Sequence, residues 1–255
     1  MLESINQDLV SAIERARKSL GSMPEETSIQ NRPQAANLVN CGLDNVNCPI
    51  CGNTGYVLPS GQPCECMKKR RSLRTLKQSG MSENIERCSF DNYETPNAQT
   101  KKVKEKAMSF VTSDARGFLI TGQSGAGKTH ICSAICRYFH EKNYVFRYIV
   151  WRNTATELKS MVNDTKEYRE AINQLRNVPI LYIDDFLKGT ISDADINLAF
   201  TIINDRYNRK DSKTIISTEL SANKLVEIDE AVGGRILEMS KNYIVQAPTT
   251  NWRLS

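Results

Sequence analysis

Eight consecutive residues have the types and the spacing of a phosphate-binding loop. The segment Gly122-Gln123-Ser124-Gly125-Ala126-Gly127-Lys128-Thr129 fits the pattern G-x-x-x-x-G-K-[ST] in full. Because glycines lack a Cβ, successive backbone N–H groups can surround phosphate oxygens, and a following helix directs its positive dipole end at the same anion. The pattern predicts that Lys128 contacts the β- and γ-phosphates of a nucleotide and that the Thr129 hydroxyl binds Mg²⁺.

Two acidic residues further along the chain supply the second half of such a site. The apolar run Ile180-Leu181-Tyr182-Ile183 predicts a strand buried on both faces, and Asp184 and Asp185 stand at its carboxyl end, where α/β sheets bind ligands. We expect Asp184 to hold Mg²⁺ and Asp185 to orient or deprotonate an attacking water. Alone, the two acids would be typical of a solvated loop; with the glycine-rich loop they indicate binding and hydrolysis of ATP or GTP.

Four cysteines in a short segment have the spacing of metal ligands. Cys48 and Cys51 form a C-x-x-C pair, and Cys64 and Cys66 form a C-x-C pair after it. Four thiolates in a turn-rich segment favour a tetrahedral structural Zn²⁺ site, because a segment of this size has little other means of folding. Cys41 is an alternative ligand, and buried or redox-active thiols are the competing interpretation.

The elements around the phosphate-binding loop predict an α/β sheet. An apolar run at residues 117–121 precedes the loop and a helical pattern at residues 130–139 follows it, and strands and helices then alternate. This alternation indicates a doubly wound parallel sheet. Strands are predicted at 117–121, 144–150, 179–184, 213–218 and 243–246, and helices at 128–141, 154–162, 166–176, 193–209, 221–226 and 232–239.

The N-terminal part of the chain has a different character. Residues 2–20 predict an amphipathic helix and residues 21–47 a linker. The run at residues 67–77 predicts a basic helix, for which contact with nucleic acid or an acidic partner and a merely solvated face are equally compatible with the pattern.

The amino-acid composition limits the classes of protein to which this chain could belong. The chain has 255 residues, 40% hydrophobic and 25% charged, and its net charge of +5 permits contact with nucleic acid without arguing for it. No stretch is long and apolar enough to span a membrane, and Glu3, Asp8 and Glu14 interrupt any signal peptide. We therefore expect a cytoplasmic protein, in which cysteines are metal ligands or buried thiols rather than disulfides.

An ordered set of further motifs runs from Cys48 to the end of the chain. These motifs are Cys48-x-x-Cys51-Gly52-x-x-Gly55-Tyr56, Cys64-x-Cys66, Cys88–Tyr93, Gly122–Thr129, Leu181-x-Ile183-Asp184-Asp185, Ile202-Ile203-Asn204-x-Arg206-Tyr207, Thr214–Ser217, Gly234-Arg235-Ile236 and Asn251–Leu254. The set resembles bacterial and phage replicative helicase loaders of the DnaC/DnaI type, which are AAA+ ATPases of the IstB-like superfamily. The N-K-x-D pattern of GTPases has no match, and no segment indicates the substrate lid of a small-molecule kinase.

The resemblance implies a domain organisation and a function. It implies a helical and zinc-binding domain at residues 1–88, which binds the hexameric replicative helicase, and an AAA+ domain with a reduced or absent lid at residues 89–255. The AAA+ domain would bind ATP, Mg²⁺ and single-stranded DNA and would self-associate. The implied function is ATP-dependent helicase loading in DNA replication. The alternatives are a transposition helper of the IstB type and a helicase-binding inhibitor that does not hydrolyse ATP.

The resemblance also implies roles for single residues. Lys128, Thr129, Asp184 and Asp185 keep the roles given above, and Arg235 would reach the phosphates of a neighbouring subunit. Two further residues would contact the nucleotide: Phe90 near the adenine and Arg253 at the phosphates as a second sensor.

One residue departs from the family pattern. Glu219 stands where these loaders often have Asn, and a carboxylate there would repel the γ-phosphate. We therefore expect Thr218 or Ser217 to act as the sensor at the end of this strand, or hydrolysis to be slow.

Overall fold

The structure, a computed structural model, describes residues 47–252. The cysteine segment comes first and contains a two-stranded antiparallel hairpin, β1 (Tyr56–Val57) and β2 (Gln62–Pro63). Two helices follow, α1 (Cys66–Ser79) and α2 (Ser82–Arg87). The predicted basic helix is therefore present as α1.

Strands and helices then alternate along the chain. In order they are α3 (Ala98–Thr112), β3 (Gly117–Thr121), α4 (Lys128–Glu141), β4 (Phe146–Val150), α5 (Trp151–Ser160), α6 (Thr165–Asn177), β5 (Ile180–Asp184), α7 (Asp193–Asn208), β6 (Lys213–Thr218), α8 (Ala222–Ile228), α9 (Glu230–Met239) and β7 (Ile244–Gln246). The five strands β3–β7 form one parallel sheet in the order β4-β5-β6-β3-β7. The predicted doubly wound α/β fold is confirmed, with element ends displaced by a few residues.

The sheet is buried on both faces, as its near-continuous apolar strands require. Successive side chains of a strand point to opposite faces. Phe118 and Ile120 of β3 accordingly pack into a core with α3 and α4, whereas Leu119 packs into a second core with α5 to α9. This placement brings the carboxyl ends of β3, β5 and β6 to one edge, where the predicted site residues stand.

Helices α1 and α2 pack on the sheet domain. Leu76 of α1 and Met81, which precedes α2, belong to the same buried core as α3 and α4. The hydroxyl of Ser72 donates a hydrogen bond of 2.9 Å to the backbone carbonyl of Tyr144. The predicted domain boundary after residue 88 stays a prediction.

Several sequence predictions concern parts of the chain that the structure does not describe. The helix at residues 2–20, the alternative ligand Cys41 and the second sensor Arg253 all lie outside the described residues. Within residues 47–252, no helix follows β7, and the reduced or absent lid stays a prediction. Among the same residues, no helix has the length and the apolar composition needed to cross a membrane.

A buried arginine ties the two neighbouring strands β5 and β6 to α7. Arg206 is fully buried, and its Nε donates to the Thr214 hydroxyl at 2.8 Å. Its Nη1 donates to the Val178 carbonyl at 2.9 Å and its Nη2 to the Lys213 carbonyl at 2.6 Å. The Val178 carbonyl lies just before β5 and the Lys213 carbonyl belongs to the first residue of β6, so the guanidinium fixes the strands' amino ends by satisfying backbone acceptors there.

We expect the substitution Arg206→Met to lower the free energy of unfolding by about 3 kcal/mol or more, because it leaves several buried carbonyls without donors. Urea unfolding followed by circular dichroism measures the effect. The matched control is Arg209→Met, whose partly exposed guanidinium pairs with Asp211 and should cost about 1 kcal/mol or less. Equal losses for the two variants would contradict the assignment of Arg206.

Candidate nucleotide and metal sites

The predicted phosphate-binding loop connects β3 to α4. Gly125 and Gly127 have φ angles of 78° and 82°, a region that side chains with a Cβ rarely adopt. A Cβ on Gly125 would also overlap the side chain of Asn251. Gly127 is the N-cap residue directly before α4, so the positive end of the helix dipole faces the loop.

The predicted phosphate-binding lysine lies inside this loop. Lys128 is 6% exposed, and its Nζ donates to the carbonyls of Gly122 at 2.7 Å and Gln123 at 2.8 Å. Burial lowers the pKa of Lys128, and the nearby carboxylates of Glu219 and Asp185 act against that effect. The ammonium group is thus held where phosphate oxygens would meet it.

The two residues predicted to hold Mg²⁺ are brought together. The Thr129 hydroxyl donates to Oδ2 of Asp184 at 3.5 Å, across the space between α4 and β5. Two more hydroxyls hold the same carboxylate, since Ser217 donates to Oδ1 and Tyr148 donates to Oδ2 at 3.2 Å. Burial, with the neighbouring Asp184 charge, raises the pKa of Tyr148, so this phenol keeps its proton as a donor.

Asp185 stands at a constrained point of the backbone. Its φ angle is 52°, which is unusual for a residue with a side chain and is characteristic of functional turns. Its N–H donates to the Ser217 hydroxyl at 3.2 Å, and its carboxylate accepts a bond of 3.1 Å from Lys188. Lys188 also pairs with Glu219 at 2.8 Å. Neither Tyr148 nor Lys188 was predicted from the sequence, because each belongs to a different segment from the motif it contacts.

The backbone carbonyl of Thr218 accepts the N–H of Gly122 at 3.1 Å, but its side chain is engaged elsewhere. Thr218 is fully buried, its hydroxyl donates to the Phe186 carbonyl at 2.8 Å, and it accepts the N–H of Leu220 at 3.1 Å. The expected sensor role is therefore not supported for this side chain, which instead fixes the backbone behind Asp185. Ser217, the alternative, contacts Asp184 and Asp185 directly.

An aromatic cavity of about 550 Å³ lies beside the phosphate-binding loop at Gly127. Tyr93, His130 and Trp252 line it, and the rings of Tyr93 and His130 meet edge to face with centroids 5.3 Å apart. Aromatic side chains of this kind can stack on a nucleotide base.

Phe90 lines a different cavity. That cavity measures about 340 Å³ and lies between α3 and α4, with Met108 and Tyr138 among its walls. Tyr93, three residues further along the same segment, lines the cavity beside the phosphate-binding loop instead, and the contact of Phe90 with the adenine stays a prediction. The signal for Tyr93 was present in the sequence, but only the fold shows which of the two rings turns toward the loop.

The C-terminal segment crosses the phosphate-binding loop. The Trp252 N–H donates to the Gly125 carbonyl at 3.0 Å, and the Gln123 side chain donates to the Thr249 carbonyl. The chain therefore passes over the loop immediately before Arg253, whose predicted contact with the phosphates stays a prediction.

Arg235 lies on the face formed by α7 and α9. Its guanidinium stacks over the rings of Phe200 at 5.2 Å and Tyr207 at 5.7 Å, and its Nη1 donates to the Ala231 carbonyl at 2.8 Å. These contacts hold it on its own helix pair, and action in a neighbouring subunit's site stays a prediction.

The four predicted metal ligands form one cluster. All four Sγ atoms of Cys48, Cys51, Cys64 and Cys66 lie within 4.8 Å of one another. The Sγ atoms of Cys48 and Cys64 are 3.7 Å apart, and those of Cys51 and Cys66 are 3.5 Å apart. Metal–thiolate bonds of about 2.3 Å in a tetrahedron require sulfur–sulfur distances of about 3.8 Å, so the cluster could hold one metal ion.

Backbone hydrogen bonds support the cluster and connect it to α1. The Cys64 N–H donates to the Gly55 carbonyl at 2.7 Å, which joins the two cysteine pairs. The side-chain oxygen of Asn53 accepts the Cys48 N–H at 2.8 Å and the Arg70 guanidinium at 2.9 Å. The cysteine segment is therefore fixed to the first turns of α1.

Comparison with known protein families identifies the family to which the chain belongs. The model of the IstB-like ATP binding protein family matches residues 64–237, more than half of the chain. This chain belongs to the IstB-like ATP-binding family. The match covers the phosphate-binding loop, both aspartates and Arg235, and it selects ATP over the GTP that the loop motif alone left open.

Relatives of this IstB-like protein include phage-type and replication proteins. It is 29% identical over 198 residues to the uncharacterised protein YqaM of Bacillus subtilis, covering 71% of this chain and 62% of YqaM. It is 30% identical over 199 residues to the phage-like element protein XkdC of the same organism, covering 71% and 73% of the two chains. It is 25% identical over 173 residues to the replicative helicase loader DnaC of Escherichia coli, covering 65% and 67%.

A solved structure confirms the fold. The crystal structure of the DnaC helicase loader superposes with a TM-score of 0.56 at 21% identity, covering 66% of this chain and 100% of that one. The predicted α/β fold with a parallel five-stranded sheet is therefore confirmed, and it is the fold of the DnaC helicase loader.

We expect Tyr148→Phe to weaken binding of ATP in the presence of Mg²⁺ by about five- to tenfold, because Asp184 loses one hydrogen bond that holds its carboxylate. Binding of ATP without Mg²⁺ should change little. Isothermal titration calorimetry with Mg²⁺ and with EDTA separates the two quantities. The control is Tyr207→Phe, whose hydroxyl contacts Glu238 instead; equal effects of both variants would contradict the role of Tyr148.

Proposed function

We propose that this chain hydrolyses ATP and uses the cycle to load a replicative DNA helicase. The observation that carries this proposal is the joining of a phosphate-binding loop and its two aspartates to a four-cysteine segment with exposed apolar side chains, in a chain whose relatives include the loader DnaC. Binding of the nucleotide follows from the family; hydrolysis, the helicase and the DNA are our proposals, as is a cytoplasmic location.

The site residues support transfer of the γ-phosphoryl group to water. Lys128 and the loop N–H groups would bind the β- and γ-phosphates, and Thr129 and Asp184 would hold Mg²⁺, which neutralises charge on the phosphates when bound. Asp185 would orient the attacking water and accept its proton. An arginine from a neighbouring subunit, Arg235, would stabilise the charge that develops in the transition state.

The cysteine cluster supports a structural zinc ion. Its sulfur–sulfur distances suit a tetrahedral ion, and four thiolate ligands leave no open position for catalysis. Zinc would therefore stabilise the segment that presents the docking surface described next.

Exposed apolar side chains on the cysteine segment support its role as the helicase-binding surface. Ile50 is 69% exposed and Leu58 is 71% exposed, and Tyr56 and Met67 are also exposed, all within residues 50–67. Clustered exposed apolar side chains mark interaction sites more often than single ones do. The exposed lysines and arginines of α1 adjoin this segment and would contact an acidic partner surface or single-stranded DNA.

The two alternative functions are less well supported. A transposition helper of the IstB type does not account for the cysteine cluster. A non-hydrolysing inhibitor was suggested by Glu219, but the carboxylate of Glu219 pairs with Lys188 at 2.8 Å, so its negative charge is partly neutralised. We therefore favour an active ATPase.

We expect Asp185→Asn to reduce ATP turnover by about a hundredfold or more, because it removes the group that accepts the proton of the attacking water. ATP affinity should stay within about threefold of the original value, since the P-loop contacts remain. Phosphate release at saturating ATP and calorimetric binding measure the two effects. Asp211→Asn, on an exposed loop, is the control. Unchanged turnover in Asp185→Asn would exclude this base.

We expect a defined complex between this chain and the replicative helicase of its own host, in the presence of ATP and Mg²⁺, on size-exclusion chromatography with light scattering. Ile50→Asp should weaken the complex by about tenfold or more, because it places a charge in the apolar surface. Zinc content, measured by plasma mass spectrometry, should be stoichiometric in both proteins. Val162→Asp, also at an exposed apolar position, should bind normally; separate peaks with the unmodified chain would exclude helicase loading.

A further inference from the structure

Three charged side chains meet beside the phosphate-binding loop. The Nζ of Lys188 is 2.8 Å from Oε1 of Glu219 and 3.1 Å from Oδ2 of Asp185. All three side chains are about one-third exposed, so they form the wall of the open site rather than part of the core. One cation therefore bridges the proposed catalytic acid and the carboxylate at the end of β6.

The backbone that carries Lys188 is held in place. Asp185 and Leu187 have φ angles of 52° and 53°, and the Lys188 N–H donates to the Asp185 carbonyl at 3.2 Å, which closes a tight turn. Phe186 and Leu187 are buried, and the ring of Phe186 meets that of Trp151 at 4.8 Å. The two apolar residues anchor the turn in the core, and the side chain of Lys188 lies on the side of the turn that faces Asp185 and Glu219.

The turn and the strand that carries Glu219 are tied to each other. The Phe186 N–H donates to the Ser217 carbonyl at 2.9 Å, and the Thr218 hydroxyl donates to the Phe186 carbonyl at 2.8 Å. Because Glu219 directly follows Thr218, these two hydrogen bonds keep the backbone of Glu219 close to the turn that carries Lys188. The fold therefore brings the two charged residues next to each other.

The charges around the site indicate what the ion pair of Lys188 and Glu219 does. Asp184, Asp185 and Glu219 supply three negative charges near Lys128, and each of the three raises the pKa of that lysine. ATP brings further negative charge to the same place. Lys188 is a further cation at this edge and offsets one carboxylate, so that the repulsion between Glu219 and a γ-phosphate is reduced.

We propose that Lys188 is a positioning residue for ATP, which binds the Glu219 carboxylate and so keeps it from repelling the γ-phosphate. The inference rests on the proposed ATP site and explains how this chain tolerates a glutamate at the end of β6. The ammonium group of Lys188 also binds the carboxylate of Asp185, so one cation contacts both acidic side chains.

The test is a double-mutant cycle of nucleotide affinity. Affinities of ATP, of ADP and of a non-hydrolysable ATP analogue, each with Mg²⁺, are measured by calorimetry for Lys188→Gln, Glu219→Gln and the double variant. We expect Lys188→Gln to weaken ATP and analogue binding about tenfold and ADP binding less than about threefold, because only the γ-phosphate meets the uncovered carboxylate. Glu219→Gln alone should bind ATP at least as tightly as the unmodified chain.

The double variant decides between the explanations. If Lys188 acts by neutralising Glu219, Lys188→Gln combined with Glu219→Gln should return ATP affinity to within about threefold of the original value. A double variant as weak as Lys188→Gln would mean that Lys188 contacts the phosphate itself, and would overturn the proposal. If Lys188→Gln bound ATP as tightly as the unmodified chain, the contact would be an ordinary surface ion pair, and the proposal would be overturned as well.

Controls separate this result from misfolding and from the proposed function. Lys224→Gln removes the exposed partner of Glu227, at a matched distance of 2.9 Å, and should leave all affinities unchanged. Thermal unfolding of each variant reports any structural damage, which would affect ATP and ADP equally. The readout needs neither turnover nor a helicase, so a chain that binds ATP but loads no helicase would refute the proposed function and leave this cycle interpretable.

Discussion

The carboxylate of Asp184 is the point on which the candidate site depends. It lies at the end of β5, where the hydroxyls of Thr129, Ser217 and Tyr148 converge on its two oxygens. These hydroxyls come from α4, β6 and β4, so a single buried charge connects four elements of the sheet domain. A buried carboxylate is costly unless such donors surround it, and the donors can be present only if the strands are in register.

Ser217 extends this connection to the neighbouring strand. Its hydroxyl donates to Asp184 and accepts the N–H of Asp185, while its carbonyl accepts the N–H of Phe186. The left-handed backbone at Asp185 is stabilised by these bonds, which offset its conformational cost of roughly 1 kcal/mol. Lys188 follows this sharp turn directly. The pairing of β5 with β6 therefore places Lys188 near Glu219, with which it forms an ion pair.

The cysteine cluster and the ATP site are connected through packing rather than through chemistry. Helix α1 begins at Cys66, and its Leu76 enters the core that lies beneath α4. Helix α4 in turn begins at the phosphate-binding loop. Helix α1 therefore joins the cysteine segment to the core that packs against α4.

The sequence by itself determined the nature of the site and most of the fold. The loop motif ending in Lys128 and the apolar strand ending in Asp184 are local patterns, and the two cysteine pairs have ligand spacing that needs no tertiary information. The alternation of strands and helices was equally readable, since each element carries its own periodicity. Only the tertiary structure decided which hydroxyls contact Asp184 and that Tyr93 rather than Phe90 lines the cavity at the loop. It also decided that the Thr218 hydroxyl bonds to the backbone of Phe186. Those choices depend on strand order and on the rotation of single side chains, which are set by long-range packing and leave no pattern along the chain.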